Sequence, residues 1–285
     1  MKNIKLEKIN GVIMKIKLVA LDLDKTLLKN HFELHPENII AVKQAQELGV
    51  KVIIATGRSP QSSYKFAREL GLYETSEHMV CFNGAYVINL RTGELLVDKE
   101  IASGTIKQII NLAKNYKVAF WGYSVDGNIG YILKKTFKIW LIQKLNHRKI
   151  VKVNENSDVR MYKILLLGKS KRINNLALEL EKLQIAEIAV SDKGKSRMIE
   201  VNELNINKAS GVKHLAKMWN INREEVMAIG NGMNDYKMVE WAGYGIAMKD
   251  SEKPLLAIAN DITDTHNNDG VSKAIHKYIL DFLQN

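Results

Sequence analysis

The sequence is nearly free of cysteine and proline. Its 285 residues include one cysteine, Cys81, and three prolines. A single thiol excludes a disulfide framework and any zinc or iron–sulfur site that needs several cysteines, and it is typical of a reducing cytoplasm. So few prolines, beside 18 glycines, exclude collagen-like or long disordered segments.

Long apolar runs are also missing. No segment approaches the roughly 20 consecutive apolar residues that a membrane span needs. The apolar stretch at 12–23 is interrupted by charged residues, and no small-residue cleavage site follows it, so it does not read as a signal peptide. We therefore expect a cytoplasmic protein with no membrane partner. Translation starts at either Met1 or Met14, since the first strand pattern begins just after Met14.

Positive charge is in excess. The 42 Lys and Arg residues against 31 Asp and Glu give a formal net charge of +11. This excess either belongs to a lysine-rich solvated surface or favours anionic partners, among them phosphorylated metabolites and nucleic acid. Because the chain has no recognisable nucleic-acid-binding motif, we expect no nucleic-acid partner. The oligomeric state leaves no signature in the sequence.

Strand and helix patterns alternate at both ends of the chain. Three short apolar runs predict strands buried on both faces of a parallel sheet, and two helical patterns lie between them. These segments are 16–21, 36–48, 50–55, 60–70 and 79–82. The same alternation returns in the last third of the chain. The order predicts an α/β fold with a doubly wound parallel, Rossmann-like core sheet.

The middle of the chain breaks this alternation. Its helices are expected at 103–115, 136–146 and 171–183, with amphipathic or hairpin-like strands near 118–122, 129–134, 161–167, 186–190 and 197–201. A length of 285 residues exceeds the usual size of a single core. We therefore expect a core formed by residues 1–85 and 203–285, into which an α/β cap, residues 86–202, is inserted.

Four polar clusters fall where the core strands end or the core helices begin. They are Asp22-Leu23-Asp24, Thr56-Gly57-Arg58, Lys208, and Gly230-Asn231-Gly232-Met233-Asn234-Asp235. In open parallel sheets, ligands bind outside the carboxyl ends of the strands. The clusters are therefore expected to form one site.

Each cluster suits one part of phosphoryl transfer. In a pair of carboxylates two residues apart, one can attack an electrophile while the other exchanges protons with the leaving group, and both offer hard oxygens to Mg²⁺. Thr56 and the glycine turn after it can cradle an anion with a hydroxyl and main-chain N–H groups. Lys208 supplies a point charge for a phosphoryl group. In phosphoryl transfer, positioning and charge neutralisation dominate.

The motifs resemble those of haloacid dehalogenase-like hydrolases, specifically the Cof-type (subfamily IIB) phosphatases with a large α/β cap. The matching segments are ALDLDKTLL (20–28), ATGRS (55–59), FNGA (82–85), NKASGV (207–212), AIGNGMNDYKMVEWAGYGIAM (228–248) and NDGVSKAI (268–275). The resemblance covers nearly the whole chain, because the inserted middle agrees with the cap of that family in position and in strand–helix order.

The resemblance implies a Mg²⁺-dependent phosphatase that hydrolyses a small phosphorylated metabolite through an aspartyl-phosphate. Asp22 would be the nucleophile and Asp24 the general acid–base. The phosphoryl group would be bound by Leu23, Thr56, Gly57, Lys208 and Asn234. The metal would be held or supported by Asp22, the main-chain carbonyl of Asp24, Asn231 and Asp235. Asn83 and Gly84 either form a plain turn into the insertion or contact the substrate, since the family places this turn beside the site. Arg58 either binds a substrate anion or stands at a helix start. Sugar phosphates, pyridoxal phosphate and flavin mononucleotide are all compatible with the family.

One position departs from the family pattern. Where this family usually has an aspartate as third metal ligand, the chain has Asn231. An amide oxygen can coordinate Mg²⁺ but adds no charge, so weaker metal binding is expected. The alternative function is therefore a regulator that binds phosphorylated metabolites and whose catalysis is weakened. Trp121 and Tyr123, on a predicted cap strand, either pack in the cap or stack on a substrate.

Overall fold

Two large sheets make up the described part of the chain. The computed structural model describes residues 8–9, 12–13, 16–30, 32–146, 148–193 and 196–281. Within them lie an eight-stranded sheet, a six-stranded sheet and a two-stranded ribbon. None of the helices in these ranges has the length and apolar character that a membrane crossing requires. Met14, the alternative start, lies outside the described residues.

The strands and helices have the following bounds. The strands are β1 (Lys8–Ile9), β2 (Val12–Ile13), β3 (Leu18–Leu21), β4 (Lys51–Ala55), β5 (His78–Cys81), β6 (Tyr86–Asn89), β7 (Leu95–Asp98), β8 (Ala119–Ser124), β9 (Ile129–Ile132), β10 (Lys149–Lys152), β11 (Met161–Lys169), β12 (Glu187–Lys193), β13 (Ser196–Asn202), β14 (Val226–Gly230), β15 (Tyr244–Met248) and β16 (Asp261–Thr263). The helices are α1 (Pro36–Glu47), α2 (Tyr64–Glu69), α3 (Ser103–Asn115), α4 (Phe137–Asn146), α5 (Ser170–Leu183), α6 (Lys208–Met218), α7 (Tyr236–Trp241), α8 (Lys253–Ile258) and α9 (Gly270–Ile275).

The eight-stranded sheet has the order β16-β15-β14-β3-β4-β5-β6-β7. Its first six strands are parallel neighbours, and β6 and β7 continue it as an antiparallel hairpin. The run LVAL forms β3 and has no polar residue because both faces of this strand are buried. Val19 and Leu21 enter the apolar cluster shared with α1 and α9, whereas Leu18 and Ala20 enter the cluster shared with α6 and α7. The strand is buried on both faces, and the predicted doubly wound α/β core is confirmed.

The six-stranded sheet has the order β10-β9-β8-β11-β13-β12. The helices α3 and α5 cover one face. The opposite face packs on the core, where Tyr162 of β11 stacks on Phe82 with ring centroids 5.3 Å apart. Trp121 is fully buried in the apolar cluster on this face and is therefore a packing residue. Tyr123 reaches the cavity described below.

The hairpin of β6 and β7 belongs to the core sheet, since Val80 of β5 pairs with Val87 of β6. The sequence-based boundary at residue 86 therefore precedes the change from one sheet to the other, which comes after Asp98. The prediction placed this hairpin in the cap because antiparallel pairing to a parallel sheet has no local signal. We propose that the inserted unit begins after Asp98. At its other end, β13 ends at Asn202, next to the predicted boundary.

The turn from β5 to β6 requires glycine at position 84. Gly84 has a φ of +97°, and a Cβ atom added there would lie 2.2 Å from the main-chain oxygen of Asn207. We therefore expect Gly84→Ala to destabilise the protein by about 2 kcal/mol or more, through backbone strain and overlap. Urea unfolding followed by circular dichroism measures this loss.

The matched control for this glycine is Gly104→Ala in α3, where nothing lies within 4 Å of the added atom. Alanine favours a helix over glycine, so this variant should be unchanged or more stable by up to about 1 kcal/mol. Equal unfolding midpoints for the two variants would contradict the argument.

Candidate active site

The four polar clusters meet at the carboxyl edge of the core sheet. Asp22 directly follows β3, Thr56 follows β4, and the loop 231–235 follows β14; β3 lies between the other two strands. The main-chain N–H of Asp22 donates to the carbonyl of Ile229 at 3.0 Å, which continues the pairing of β3 with β14 past the end of the strand. Parallel pairing thus brings together residues that are far apart in sequence.

A buried lysine joins two of these clusters. Lys208 is the first residue of α6 and is fully buried. Its Nζ lies 2.5 Å from Oδ1 of Asp22 and 2.6 Å from Oδ1 of Asp235. The other oxygen of Asp22, Oδ2, accepts a hydrogen bond from the Thr26 hydroxyl at 3.0 Å. One ammonium therefore contacts two buried carboxylates and offsets only one of their two negative charges.

Asp235 also shapes its own loop. Its Oδ2 accepts hydrogen bonds from the main-chain N–H groups of Asn231 and Gly232, both at 2.9 Å. Both of its carboxylate oxygens are thus engaged, one by Lys208 and one by the loop. The role of Asp235 as a metal ligand stays a prediction, and its direct contacts are those of a residue that orders the loop.

Asp22 is held in a state of high proton affinity. Burial raises its pKa to about 7, and the negative charges of Asp235 and Asp24 act in the same direction, whereas Lys208 opposes them. The carboxylate is therefore ionised at a cost, which any further positive charge beside it would lower.

Asp24 faces the solvent side of the same site. Arg58 grips it with two hydrogen bonds, from Nε at 2.8 Å and from Nη2 at 2.5 Å. The main-chain N–H of Arg58 donates to the Thr56 hydroxyl at 3.1 Å. The turn after β4 therefore orients the second carboxylate of the pair.

The cap and the core enclose a cavity of about 670 Å³ beside these groups. Residues from both units form its wall, among them Asp22, Asp24, Gly57, Arg58, Asn231 and Asn234 from the core and Tyr123, Arg148, Lys163, Asp192 and Glu200 from the cap. Ligand pockets of proteins commonly have this size. The cavity has room for a phosphoryl group together with an organic leaving group.

Cap side chains reach directly into the predicted phosphate-binding turns. Lys163 Nζ donates to the main-chain oxygen of Gly57 at 2.6 Å and lies 3.3 Å from Oε2 of Glu200. Asn83 donates to that same Glu200 oxygen at 2.7 Å and accepts from Asn234 at 3.1 Å. The network places Asn83 between a predicted phosphate-binding residue and the cap.

Sequence reasoning did not identify the cap members of this network. Lys163 carried a signal, because it is a single charge within the apolar run MYKILLL of β11. Glu200 and Asn202 alternate with buried Ile199 and Val201 on β13, which marks the second face of the strand. That this face covers the core, rather than solvent, is visible only in the assembled fold.

The cavity wall does not include six of the predicted residues. Four of them contact wall residues directly, namely Thr56, Asn83, Lys208 and Asp235, and the other two are packed elsewhere. The Leu23 side chain is buried in the core cluster, so only its main-chain groups can contact a ligand. Gly84 is packed against the beginning of α6. Their roles toward phosphate and substrate stay predictions.

The oxygen donors around Asp22 fit a Mg²⁺ ion. Asp22 offers a carboxylate, Asp24 a main-chain carbonyl and Asn231 an amide, and all three residues line the cavity. The Asn231 side chain makes no hydrogen bond within the described residues. In the same ranges, no group of three His, Cys, Asp or Glu side chains is arranged to hold a metal. Mg²⁺ commonly takes one or two carboxylates and completes its shell with water and substrate phosphate, so the mixed set is sufficient.

Comparison with known proteins decides the family. A sequence model of haloacid dehalogenase-like hydrolases matches residues 19–275. The chain belongs to this family. The chain is 28% identical to the putative phosphatase YxeH of Bacillus subtilis, over 93% of this chain and 98% of that protein.

Two further proteins refine this placement. The 5-amino-6-(5-phospho-D-ribitylamino)uracil phosphatase YcsE of Bacillus subtilis is 30% identical over 93% of this haloacid dehalogenase-like chain and 96% of its own length. The solved structure of the subclass IIB sugar phosphatase BT4131 covers 92% of this chain and 98% of its own, with a TM-score of 0.76 at 21% identity. The expected assignment to the Cof-type phosphatases of this family is confirmed.

The raised pKa of Asp22 predicts a pH-dependent effect of its removal. The native pKa of about 7 lies above the value of 3.8 that the unfolded chain has. The stability that Asp22 contributes by taking up a proton is therefore lost as the pH rises through 7. We expect Asp22→Asn to be more stable, relative to the parent protein, at pH 8 than at pH 5 by about 1–3 kcal/mol in the absence of divalent cations.

Urea unfolding at the two pH values in the presence of a chelator measures this difference. The control is Asp158→Asn, which removes an exposed cap carboxylate and should behave alike at both values. A difference for Asp22→Asn that does not change with pH would contradict the raised pKa.

Proposed function

We propose that this haloacid dehalogenase-like hydrolase is a Mg²⁺-dependent phosphatase of small phosphorylated metabolites that acts through an aspartyl-phosphate on Asp22. The observation that carries the proposal is the carboxylate pair at the end of β3, with Lys208 buried against Asp22 and a cap-covered cavity in front. A protein that only bound phosphate would have no use for a second carboxylate next to the first.

Asp22 is the nucleophile. One of its carboxylate oxygens attacks phosphorus, and the bond between phosphorus and the leaving oxygen breaks. Lys208, hydrogen-bonded to Asp22 at 2.5 Å, orients this carboxylate and neutralises charge on it and on the transferred group. The predicted phosphate contacts are the Thr56 hydroxyl, the main-chain N–H groups of Leu23 and Gly57, and Asn234.

Asp24 is the general acid–base. It gives a proton to the leaving oxygen in the first half of the reaction and takes one from the attacking water in the second half. That water breaks the bond between phosphorus and Asp22, which releases phosphate and restores the carboxylate. The two hydrogen bonds from Arg58 hold Asp24 as a carboxylate, the form that takes the proton from water, and at least one of them must break when Asp24 is protonated to act as the acid.

Mg²⁺, when bound by Asp22, the Asp24 carbonyl and Asn231 with support from Asp235, supplies charge neutralisation for the transferred phosphoryl group. The cap excludes water from the cavity and selects the leaving group. The names of YcsE and BT4131 support a substrate that joins a phosphoryl group to a sugar or sugar-like chain, and pyridoxal phosphate and flavin mononucleotide belong in the same screen. A cytoplasmic location and the lack of a nucleic-acid partner stay predictions.

The first test is hydrolysis of p-nitrophenyl phosphate. We expect turnover with Mg²⁺ and none with a chelator. Asp22→Asn should reduce the rate to about one per cent or less, since the typical loss on removing a covalent nucleophile is far above a hundredfold. Asp158→Asn, on the cap surface, is the control that should retain the parent rate. Activity of Asp22→Asn above a few per cent would overturn the nucleophile assignment.

The second test concerns Asn231. Aspartate at this position would add a negative charge to the ligand set, so Asn231→Asp should lower the Mg²⁺ concentration for half-maximal activity by about tenfold, the effect of one charged contact. The rate at saturating Mg²⁺ should change less. Asn156→Asp, which adds the same charge on the exposed cap, should leave the Mg²⁺ dependence unchanged.

Two results of this titration would contradict the proposal. Identical Mg²⁺ curves for the parent and Asn231→Asp would show that residue 231 is not a ligand. If only the aspartate variant turned over substrate, the natural chain would instead be the regulator that binds phosphorylated metabolites without hydrolysing them.

A further inference from the structure

The cavity wall carries one buried cation, Arg148, that has no carboxylate in salt-bridge contact within the described residues. The wall carboxylates have other partners within 3.4 Å: Asp22 pairs with Lys208, Asp24 with Arg58, Glu200 with Lys163 and Asp192 with Arg197, Asp250 lies beside His266, and Glu252 accepts from the main-chain N–H of Asp192. Lys25, the other cation on the wall, is exposed to solvent. Arg148 is buried, and within the described residues it forms no ion pair with a carboxylate.

Neutral groups surround Arg148 instead. Its Nη2 donates to the Ser59 hydroxyl at 2.7 Å, and its Nη1 donates to the main-chain oxygen of Gly127. Its guanidinium carbon lies 5.2 Å from the centroid of the Tyr123 ring. Burial lowers the pKa of Arg148 and the charge of Asp126 acts in the opposite direction, but the two side chains form no salt bridge. The Asp126 carboxylate instead accepts hydrogen bonds from the Ser124 hydroxyl at 2.5 Å and from the N–H of Asn128 at 2.9 Å.

An uncompensated buried cation is costly, since a charge removed from water needs an opposite charge to repay its desolvation. Folding alone would favour an apolar side chain at this position. A guanidinium also presents several N–H donors in a planar fork, which matches a carboxylate or phosphate group. The position therefore fits a ligand anion.

Arg148, which precedes β10 in the cap, contacts the turn that carries Arg58. Its partner Ser59 directly follows Arg58, whose guanidinium holds Asp24. Asp22, Asp24, Ser59 and Arg148 all line the one cavity. A leaving group that extends from phosphorus past Arg58 along this wall therefore meets Arg148.

We propose that Arg148 binds a second anionic group, a carboxylate or a further phosphoryl group, on the leaving group of the substrate. This rests on the proposed phosphatase function, and it narrows the substrate class to phosphomonoesters that carry a second negative charge. Arg148 selects the substrate and takes no part in bond breaking.

The kinetic test uses pairs of phosphomonoesters that differ by one anionic group. The carboxylate pair is glucitol 6-phosphate and 6-phosphogluconate, both open chains, and the phosphate pair is fructose 6-phosphate and fructose 1,6-bisphosphate. The full-length protein should prefer the more anionic member of at least one pair by about tenfold or more in kcat/KM, and the responding pair identifies the second group as carboxylate or phosphate. In Arg148→Gln this ratio should fall to about one, through a higher KM for that member, as expected for the loss of a charged hydrogen bond.

Two further variants separate recognition from structure. Arg148→Lys keeps the charge and should retain part of the preference. Arg172→Gln removes an exposed cap arginine that donates to the main-chain oxygen of Lys117 and does not line the cavity, so it should leave the ratio unchanged. An equal loss on both members of each pair in Arg148→Gln would overturn the proposal and make Arg148 a contact that holds the cap on the core. A parent enzyme with no preference in either pair would also overturn it.

A binding measurement keeps the inference distinct from the proposed function. Calorimetric titration uses three phosphonates, which contain no phosphoester bond to hydrolyse. Propylphosphonate has one acidic group, 3-phosphonopropanoate adds a carboxylate, and 1,3-propanediphosphonate adds a second phosphonate. The parent protein should bind 3-phosphonopropanoate or 1,3-propanediphosphonate at least about tenfold more tightly than propylphosphonate. Arg148→Gln should remove that difference. If no phosphoester were hydrolysed but this difference held, the phosphatase proposal would fail and the anion site would stand. Equal binding of all three compounds would overturn the anion site whatever the activity.

Discussion

The ammonium of Lys208, buried between Asp22 and Asp235, is the interaction on which the site depends. Two carboxylates this close and this deeply buried would repel one another and resist ionisation without it. The lysine in turn is fixed because it begins α6, whose N-terminus is capped by Asn207 through a hydrogen bond from the Ser210 N–H at 3.1 Å. The charge of Lys208 thus connects α6 to the end of β3 and to the loop after β14. Even with this ammonium beside it, the pKa of Asp22 is raised.

The core and the cap contribute different charged groups to the cavity. The core supplies the carboxylates at the end of β3, which would attract the proposed divalent cation, and Lys208, whose positive charge would attract the proposed phosphoryl group. The cap supplies Lys163, Glu200 and Arg148, which touch the turns of the core rather than the nucleophile itself. In the proposed function, chemistry and substrate selection therefore belong to different sheets, and both sheets line one cavity.

Much of the fold followed from local patterns. The uninterrupted apolar runs at β3 and β4 predicted strands buried on both faces, and proline and glycine punctuation located the helices close to their observed bounds. The hairpin of β6 and β7 and the edge strands β10 and β16 were not predicted, because each is short and gains its stability from pairing with a neighbour rather than from its own sequence. The assignment of residues 86–98 to the cap failed to match the observed sheet for the same reason.

The sequence by itself determined the chemistry of the core. Asp22, Asp24, Thr56 and Lys208 stand at strand ends and helix starts, and parallel pairing brings such positions to one edge. Only the tertiary structure decided which cap residues face that edge, that both oxygens of Asp235 are already engaged, and that Arg148 is a buried cation with no salt bridge to a described carboxylate. Strand order and helix starts are local properties that a pattern of side chains encodes, whereas the partner of a buried charge depends on how two separately folded sheets meet.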